Sequence, residues 1–135
     1  MTDDSRFDER DDELPGQDLA IGAEVLYLIN LLVLPFFGFV GLLVLYARFR
    51  RTAPLLARCH LAQTMSASLW GAVLLLVVNA LIVILGGYDA PYTWVVLVLY
   101  FSTCHTTLVM LGVVGLAKAM AGKQYRYPLI GRPCL

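Results

Sequence analysis

The stretch FSTCHTTL, residues 101–108, places a histidine, a cysteine and four hydroxyl side chains inside a long apolar run. An imidazole in such surroundings can join two helices by a hydrogen bond, ligate the iron of a haem, or carry a proton. A charged side chain at mid-bilayer is penalised by at least ~2.5 kcal/mol, whereas a neutral imidazole needs only hydrogen-bond partners. We therefore interpret His105 as a neutral hydrogen-bonding contact between helices, and we keep a haem b ligand and a proton carrier as alternatives.

The haem alternative can be examined against the only other histidine. His60 lies at the start of the second apolar run, and His105 lies 13 residues before Lys118, at the end of the third run. At 1.5 Å per residue, His105 is roughly 20 Å deeper than that end. Two ligands of one iron must lie within about 4 Å of each other. The two histidines therefore cannot share one haem within a single subunit.

Motifs for catalysis and metal binding are missing from the sequence. Cys59, Cys104 and Cys134 lack the paired spacing of a zinc or iron–sulfur site, and we expect them to be reduced thiols. The chain has no phosphate-binding loop, nucleophile elbow or dinucleotide fingerprint. We therefore expect a protein that is not an enzyme, has no metal or cofactor, and does not bind nucleic acid.

The elements that carry these residues are predicted to be membrane-spanning helices. The chain is 59% hydrophobic and 15% charged, against roughly 25% charged in a soluble domain. Three apolar runs each reach the ~20 residues that span a bilayer, and inside lipid such segments must be helical. The sequence predicts an all-α integral membrane protein with three transmembrane helices, at about 19–47, 54–86 and 91–121, the first kinked at Pro35.

The charge distribution predicts the orientation. Eight of the ten acidic residues lie in the first 18 residues, which are expected to form a flexible tail. Basic residues are concentrated in the first loop and the C-terminal tail, 123–135. The positive-inside rule then places that loop and the C-terminus in the cytoplasm and the N-terminus outside. The expected location is the bacterial inner membrane, with residues 19–122 as its transmembrane domain.

Small and polar residues recur on one face of each predicted helix. Since each residue of a helix advances by about 100°, such a face allows another helix to approach closely. We expect these positions to pack against one another, against a second copy of the chain or against other membrane proteins. They are Asn30 and Gly41; Thr64, Ser68, Ala72 and Asn79; and Ser102, His105, Gly112 and Gly115.

Two segments, RFRRTAPLLARCHLAQTM and AKAMAGKQYRYPLI, carry a family resemblance. Over residues 25–130 the chain resembles the bacterial Tic-twenty-like group, relatives of a small chloroplast inner-envelope translocon subunit. The resemblance implies a small polytopic membrane protein with cytoplasmic signature segments and no established enzymatic activity. Its motif residues here are His60, Gln63, Gly122, Tyr125, Arg126, Tyr127 and Pro128. Because the second and third helices are antiparallel neighbours, we expect His60 and Gln63 to lie close to the segment 125–128.

Three functional hypotheses follow. The first is a small non-enzymatic membrane subunit, or assembly partner, that packs against other membrane proteins in the bilayer. The second is an electron-transfer or haem-anchoring subunit in which His105 is a ligand. The third is a translocon or channel component, although the lack of charge inside the predicted helices argues against an ion pathway.

Overall fold

The computed structural model describes residues 14–134, and over that range it is helical, with no strand. The helices are α1 Gln17–Leu32, α2 Pro35–Phe49, α3 Leu55–Ala72, α4 Val78–Gly86 and α5 Pro91–Met120. A π-helical turn, Val73–Val77, joins α3 and α4 into one rod that runs from Leu55 to Gly86.

Two of these helical segments are long and apolar enough to cross a membrane. The α3–α4 rod has 32 residues and α5 has 30. They pack against each other as an antiparallel hairpin whose turn contains Gly87 at φ +85°. A Cβ atom at Gly86 would lie 2.5 Å from Thr93 Oγ1, so this glycine permits the close approach of the two helices. The prediction of an all-helical protein is confirmed over the described residues, with two helical segments long and apolar enough to span a membrane.

The first predicted helix, 19–47, is corrected by the structure. It is interrupted after Leu32, and α2 begins at Pro35. A residue before proline avoids the α conformation, and Leu34 has φ −132° and ψ 80°. The expected kink is therefore a complete reversal, which brings Gly38 of α2 against the backbone of Asn30 in α1. Three continuous spans are not confirmed.

The predicted position of the N-terminus is not confirmed either. The Gln17 side chain at the start of α1 donates a hydrogen bond to the carbonyl oxygen of Met120, at 2.8 Å. Gly16 lies beside Pro54 in the loop before α3, and Leu14 lies beside Gly122. The described chain therefore begins at the same end of the molecule as its C-terminal segment. Of residues 1–18, expected to form a flexible acidic tail, residues 1–13 lie outside the described range, whereas Gln17 and Asp18 belong to the first turn of α1.

The molecule is much wider at one end than at the other. Helix α1 lies centrally and packs against α2, α3 and α5, whereas α4 packs against α5 and the π-helical turn. Most of α3 is buried, but no residue of the π-helical turn or α4 is. We call the end with Gln17, Phe49, Leu55 and Met120 the wide end, and the end with the Gly87–Ala90 turn the narrow end.

The contact between α1 and α2 predicts different effects for two similar substitutions. A Cβ atom at Gly38 would lie 2.6 Å from the backbone nitrogen of Asn30, whereas one at Gly41 would lie 3.4 Å from the flexible end of Leu26. Gly38→Ala should lower the free energy of unfolding by about 1–3 kcal/mol through overpacking. Gly41→Ala should leave it unchanged or raise it by up to about 1 kcal/mol. Thermal unfolding in detergent measures both, and equal behaviour of the two variants would contradict the antiparallel contact.

Candidate functional site

A fully buried carboxyl group lies in α1. Glu24 has no exposed surface, and an isolated carboxylate in such a position is very unfavourable. Its Oε1 atom lies 2.6 Å from His60 Nδ1, and its Oε2 atom accepts a hydrogen bond from the Tyr127 hydroxyl. These contacts join α1, α3 and the C-terminal segment at one point.

The partners of His60 determine where its protons lie. The Nε2 atom is 3.0 Å from the backbone carbonyl oxygen of Lys123, and because a carbonyl only accepts, Nε2 must carry a hydrogen. One further proton then lies between Nδ1 and Glu24, on either atom. The pair is an imidazolium with a carboxylate or a neutral imidazole with a carboxylic acid. Both forms have zero net charge, which suits a buried site.

Tyr127 completes the environment of the carboxyl group. Burial raises the pKa of its hydroxyl far above the usual value, and the negative charge of Glu24 raises it further. The hydroxyl therefore stays protonated and donates to Glu24. The Tyr127 ring meets that of Tyr27 edge to face at 5.9 Å, and the Tyr27 hydroxyl donates to the carbonyl oxygen of Leu108 at 3.1 Å. This second bond joins α1 to α5.

Two further polar side chains of α3 bind the backbone of the C-terminal segment. Gln63 Oε1 accepts from the N–H groups of Tyr127, at 3.3 Å, and Arg132, at 3.1 Å, and its Nε2 donates to the carbonyl of Arg132. The Ser66 hydroxyl donates to the carbonyl of Ile130 at 2.6 Å. Because residues 123–134 have no regular secondary structure, these side chains supply hydrogen bonds that a helix would supply internally. We call Glu24, His60, Gln63, Ser66 and Tyr127 the polar network.

Glycines on α5 allow the polar network to form. A Cβ atom at Gly115 would lie 2.5 Å from Glu24 Oε2 and 2.7 Å from the Tyr127 hydroxyl, and one at Gly112 would lie 2.7 Å from the Tyr27 ring. These two glycines are buried on the same face of α5 as Ala119. The small-residue face predicted on the last helix therefore packs against α1.

The other predicted packing positions have varied surroundings. Thr64 and Ser68 are buried, and the Thr64 hydroxyl donates to the carbonyl of His60. Asn79 donates to the carbonyl of Leu75 in its own helical rod, at 2.7 Å. Ala72 and Ser102 are exposed, and Ala72 lines the same cavity as Asn30.

His105 lines a cavity of about 420 Å³ between the α1–α2 turn and helices α3 and α5. It is half-buried and stacks on Phe101, with ring centroids 5.4 Å apart. Its Nδ1 atom, Asn30 Oδ1 and Ser68 Oγ have no hydrogen-bond partner within residues 14–134. The structure thus turns His105 towards protein and brings it to the same cavity as Asn30, but the expected hydrogen bond is not formed among the described residues.

The cysteines differ from the expectation of free thiols. Cys59, at the start of α3, forms a disulfide with Cys134, and Cys104 is free. The disulfide is a further attachment of the C-terminal segment to α3. Since both nitrogens of His60 already have partners, this region offers no free histidine or thiolate to a metal within residues 14–134.

The motif residues singled out in the sequence lie largely together. Gly122 ends α5 with φ +66°. His60, Gln63 and Tyr127 belong to the polar network, and Tyr125 packs beside the Tyr127 ring at 5.4 Å. Arg126 and Pro128 are exposed on the same segment. Sequence reasoning missed Glu24, although it lies on the same helical face as Ala20, Ala23 and Tyr27, all of them buried.

Comparison with known protein families gives a match over most of the chain. The model of a family described as the magnetosome magnetite crystal formation protein family, MamF/MmsF, matches residues 18–134. Neither a curated protein nor a solved structure matches the chain. The resemblance to the Tic-twenty-like group is therefore wrong as an assignment. Three of its motif residues, His60, Gln63 and Tyr127, make contacts that hold the C-terminal segment against α1 and α3.

The polar network predicts that the hydrogen bonds of Glu24 matter more than its charge. In Glu24→Gln the amide can donate to His60 Nδ1 and still accept from Tyr127, so stability should change by no more than about 1 kcal/mol. Glu24→Ala leaves both partners buried and unpaired and should cost about 3–5 kcal/mol. Thermal unfolding in detergent measures the difference, and trypsin cleavage after Arg126 reports release of the C-terminal segment. A Gln variant as unstable as the Ala variant would show instead that a full ion pair is required.

The cavity beside His105 predicts a spectroscopic result. His105 is the one histidine there, and both nitrogens of His60 are occupied. We expect the purified protein to show no stoichiometric Soret band and His105→Gln to retain the assembly, since an amide can also donate and accept. A Soret band that disappears in His105→Gln would overturn this expectation and establish the haem-anchoring alternative.

Proposed function

The chain belongs to the MamF/MmsF family, the magnetosome magnetite crystal formation protein family, and we propose that it is a non-enzymatic subunit of the magnetosome membrane. In this proposal it packs against other membrane proteins and affects crystal formation through them. The proposal replaces the more general expectation of the bacterial inner membrane.

The arrangement of the polar network supports a structural role. Glu24, His60 and Gln63 have no exposed surface, and each bonds to groups of the same chain. A catalytic group must reach a substrate, whereas these groups reach other helices and the C-terminal segment. The network therefore supports a protein whose polar core stabilises its fold.

The charge distribution supports a defined orientation in the compartment membrane. Eight basic residues belong to the wide end, and Asp89 is the single charged residue at the narrow-end turn. The positive-inside rule favours a wide end in the cytoplasm, which leaves the short turn on the compartment side. The basic residues are Arg48, Arg50, Arg51, Arg58, Lys118, Lys123, Arg126 and Arg132. With so little chain facing the crystal, an indirect action through membrane partners is favoured over direct contact with mineral.

A candidate contact face lies on α5. Ser102 and Thr106 are exposed one helical turn apart in the middle of the apolar helix. Thr103 and Thr107, on an adjacent face, donate to the carbonyls of Leu99 and Thr103 in their own helix. Hydroxyls without such bonds are suited to a neighbouring transmembrane helix. We propose that Ser102 and Thr106 face the partner.

The proposal predicts a difference between two matched double variants in a strain that lacks the wild-type gene. Ser102→Ala with Thr106→Val should lose proteins that co-purify from magnetosome membranes in mild detergent, because the hydroxyls facing the partner are removed. Crystal dimensions, measured by electron microscopy, should shift towards those of the deletion strain. Thr103→Val with Thr107→Val should retain both the partner and the wild-type crystals.

Fractionation provides the control, since each variant must be present in the magnetosome membrane at the wild-type level. Crystals that are unchanged when the gene is deleted, or a protein absent from the magnetosome fraction, would refute the proposed function. Loss of the partner in both double variants would refute the choice of face.

A further inference from the structure

The α1–α2 hairpin enters the molecule from the wide end and returns to it. Its helices have 16 and 15 residues, or about 24 and 22 Å at 1.5 Å per residue, which is less than the ~30 Å hydrocarbon core. Gln17 at the start of α1 bonds to Met120, and Phe49 at the end of α2 packs with Leu19 of α1 around the same buried cluster. The hairpin is therefore re-entrant and does not cross.

The tip of the hairpin lies halfway along the two long helices. Pro35 and Phe36 line the same cavity as Leu76 of the π-helical turn and His105 of α5. His105 is the fifteenth of the 30 residues of α5. The half of the molecule towards the wide end thus contains four helices, and the half towards the narrow end contains two.

The surface and backbone of the tip are suited to hydrocarbon. Phe36 is 72% exposed and Phe37 70% exposed, and Leu32 and Val33 beside them are also exposed. In water such a patch would be unfavourable. The N–H groups of Val33 and Leu34 both donate to the carbonyl of Ile29, and Pro35 has no N–H. These three positions therefore leave no backbone donor unpaired at membrane depth.

Basic residues at the base of the hairpin are suited to the lipid headgroups. Arg48 lies in the last turn of α2, and Arg50 and Arg51 follow directly after its end. The guanidinium of Arg50 lies 5.8 Å from the centre of the Tyr46 ring, and that of Arg48 lies 6.0 Å from the Phe49 ring. Arginine and tyrosine at this position anchor a helix end to the membrane interface. The hairpin is thereby kept in one leaflet, with its base at the surface and its tip near mid-bilayer.

We propose that the α1–α2 hairpin acts as a wedge that makes the protein prefer, and promote, membranes curved with the wide end on the convex side. Two additional helices, each about 10–12 Å across, add roughly 160–230 Å² of cross-section to one leaflet only. A small vesicle has more area in its outer leaflet than in its inner one, so the wide end is accommodated best when it points outward. The proposal rests on the proposed function only for the location in a membrane, and its ligand is the lipid bilayer itself.

Orientation in vesicles of two sizes tests the wedge. The full-length protein with a protease-cleavable C-terminal tag is reconstituted into small sonicated and large extruded vesicles of the same zwitterionic lipid, and external protease reports the outward fraction. The wide end carries the tag. The ratio of outward to inward molecules should be roughly fivefold or more higher in small vesicles than in large ones, which corresponds to about 1 kcal/mol. A ratio independent of vesicle size would overturn the proposal.

Matched variants test whether the tip is responsible. Phe36→Ser with Phe37→Ser makes the tip polar and should reduce the size dependence to near zero. Ile84→Ser with Leu85→Ser replaces two apolar residues near the narrow end that are at least as exposed, and it should leave the size dependence intact. Size dependence that survives in the tip variant would refute the assignment to the hairpin. The vesicles contain no crystal and no partner, so this result does not depend on the proposed function. The proposed function is refuted by a different observation, namely unchanged crystals in the deletion strain.

Discussion

The fold depends on how the buried carboxyl group of Glu24 is neutralised. A carboxyl group removed from water requires a proton or an adjacent cation, together with hydrogen bonds for both oxygens. His60 and Tyr127 meet these needs, and they come from α3 and from the C-terminal segment. Gly115 of α5 leaves room for the carboxyl group. One side chain therefore fixes the relative positions of three helices and of a segment that has no regular structure.

Much of the helical architecture is predictable from the sequence, and the path of its first part is not. The lengths of the apolar runs predict two long helices, and the structure contains them as the α3–α4 rod and α5. The apolar run at 19–47 is compatible with one span or with two short helices. Pro35 predicts a break in the helix, but it does not predict the angle between the two parts. The reversal depends on the fit of Gly38 against the backbone of Asn30, a contact between residues that helical periodicity does not place together.

The candidate site was also predictable only in part. The grouping of His60 and Gln63 with the segment 125–128 follows from antiparallel helices and could be expected from the sequence. The residue that organises them could not, because Glu24 lies at the edge of an apolar run and resembles an interfacial charge. Its position on a stripe with Ala20, Ala23 and Tyr27 was the available signal, since a face of small and aromatic residues indicates burial. The partners of a buried acid come from distant segments, and spacing in one helix does not reveal them.

The polar network and the hairpin are mechanically linked, since a wedge displaces lipid only if its base resists being pushed aside. Helix α1 is bonded to α3 through Glu24 and His60, and to α5 through Tyr27 and Gln17. All three contacts lie on the wide-end side of the hairpin tip. At the tip, the buried polar atoms Asn30 Oδ1, Ser68 Oγ and His105 Nδ1 have no partner within the described residues. The hydrogen bonds therefore hold the wide-end part of the hairpin in place. The tip contacts its neighbours mainly through apolar surfaces, which lipid chains can replace. Such a division lets the tip adapt to the hydrocarbon around it while the width of the opposite end stays fixed.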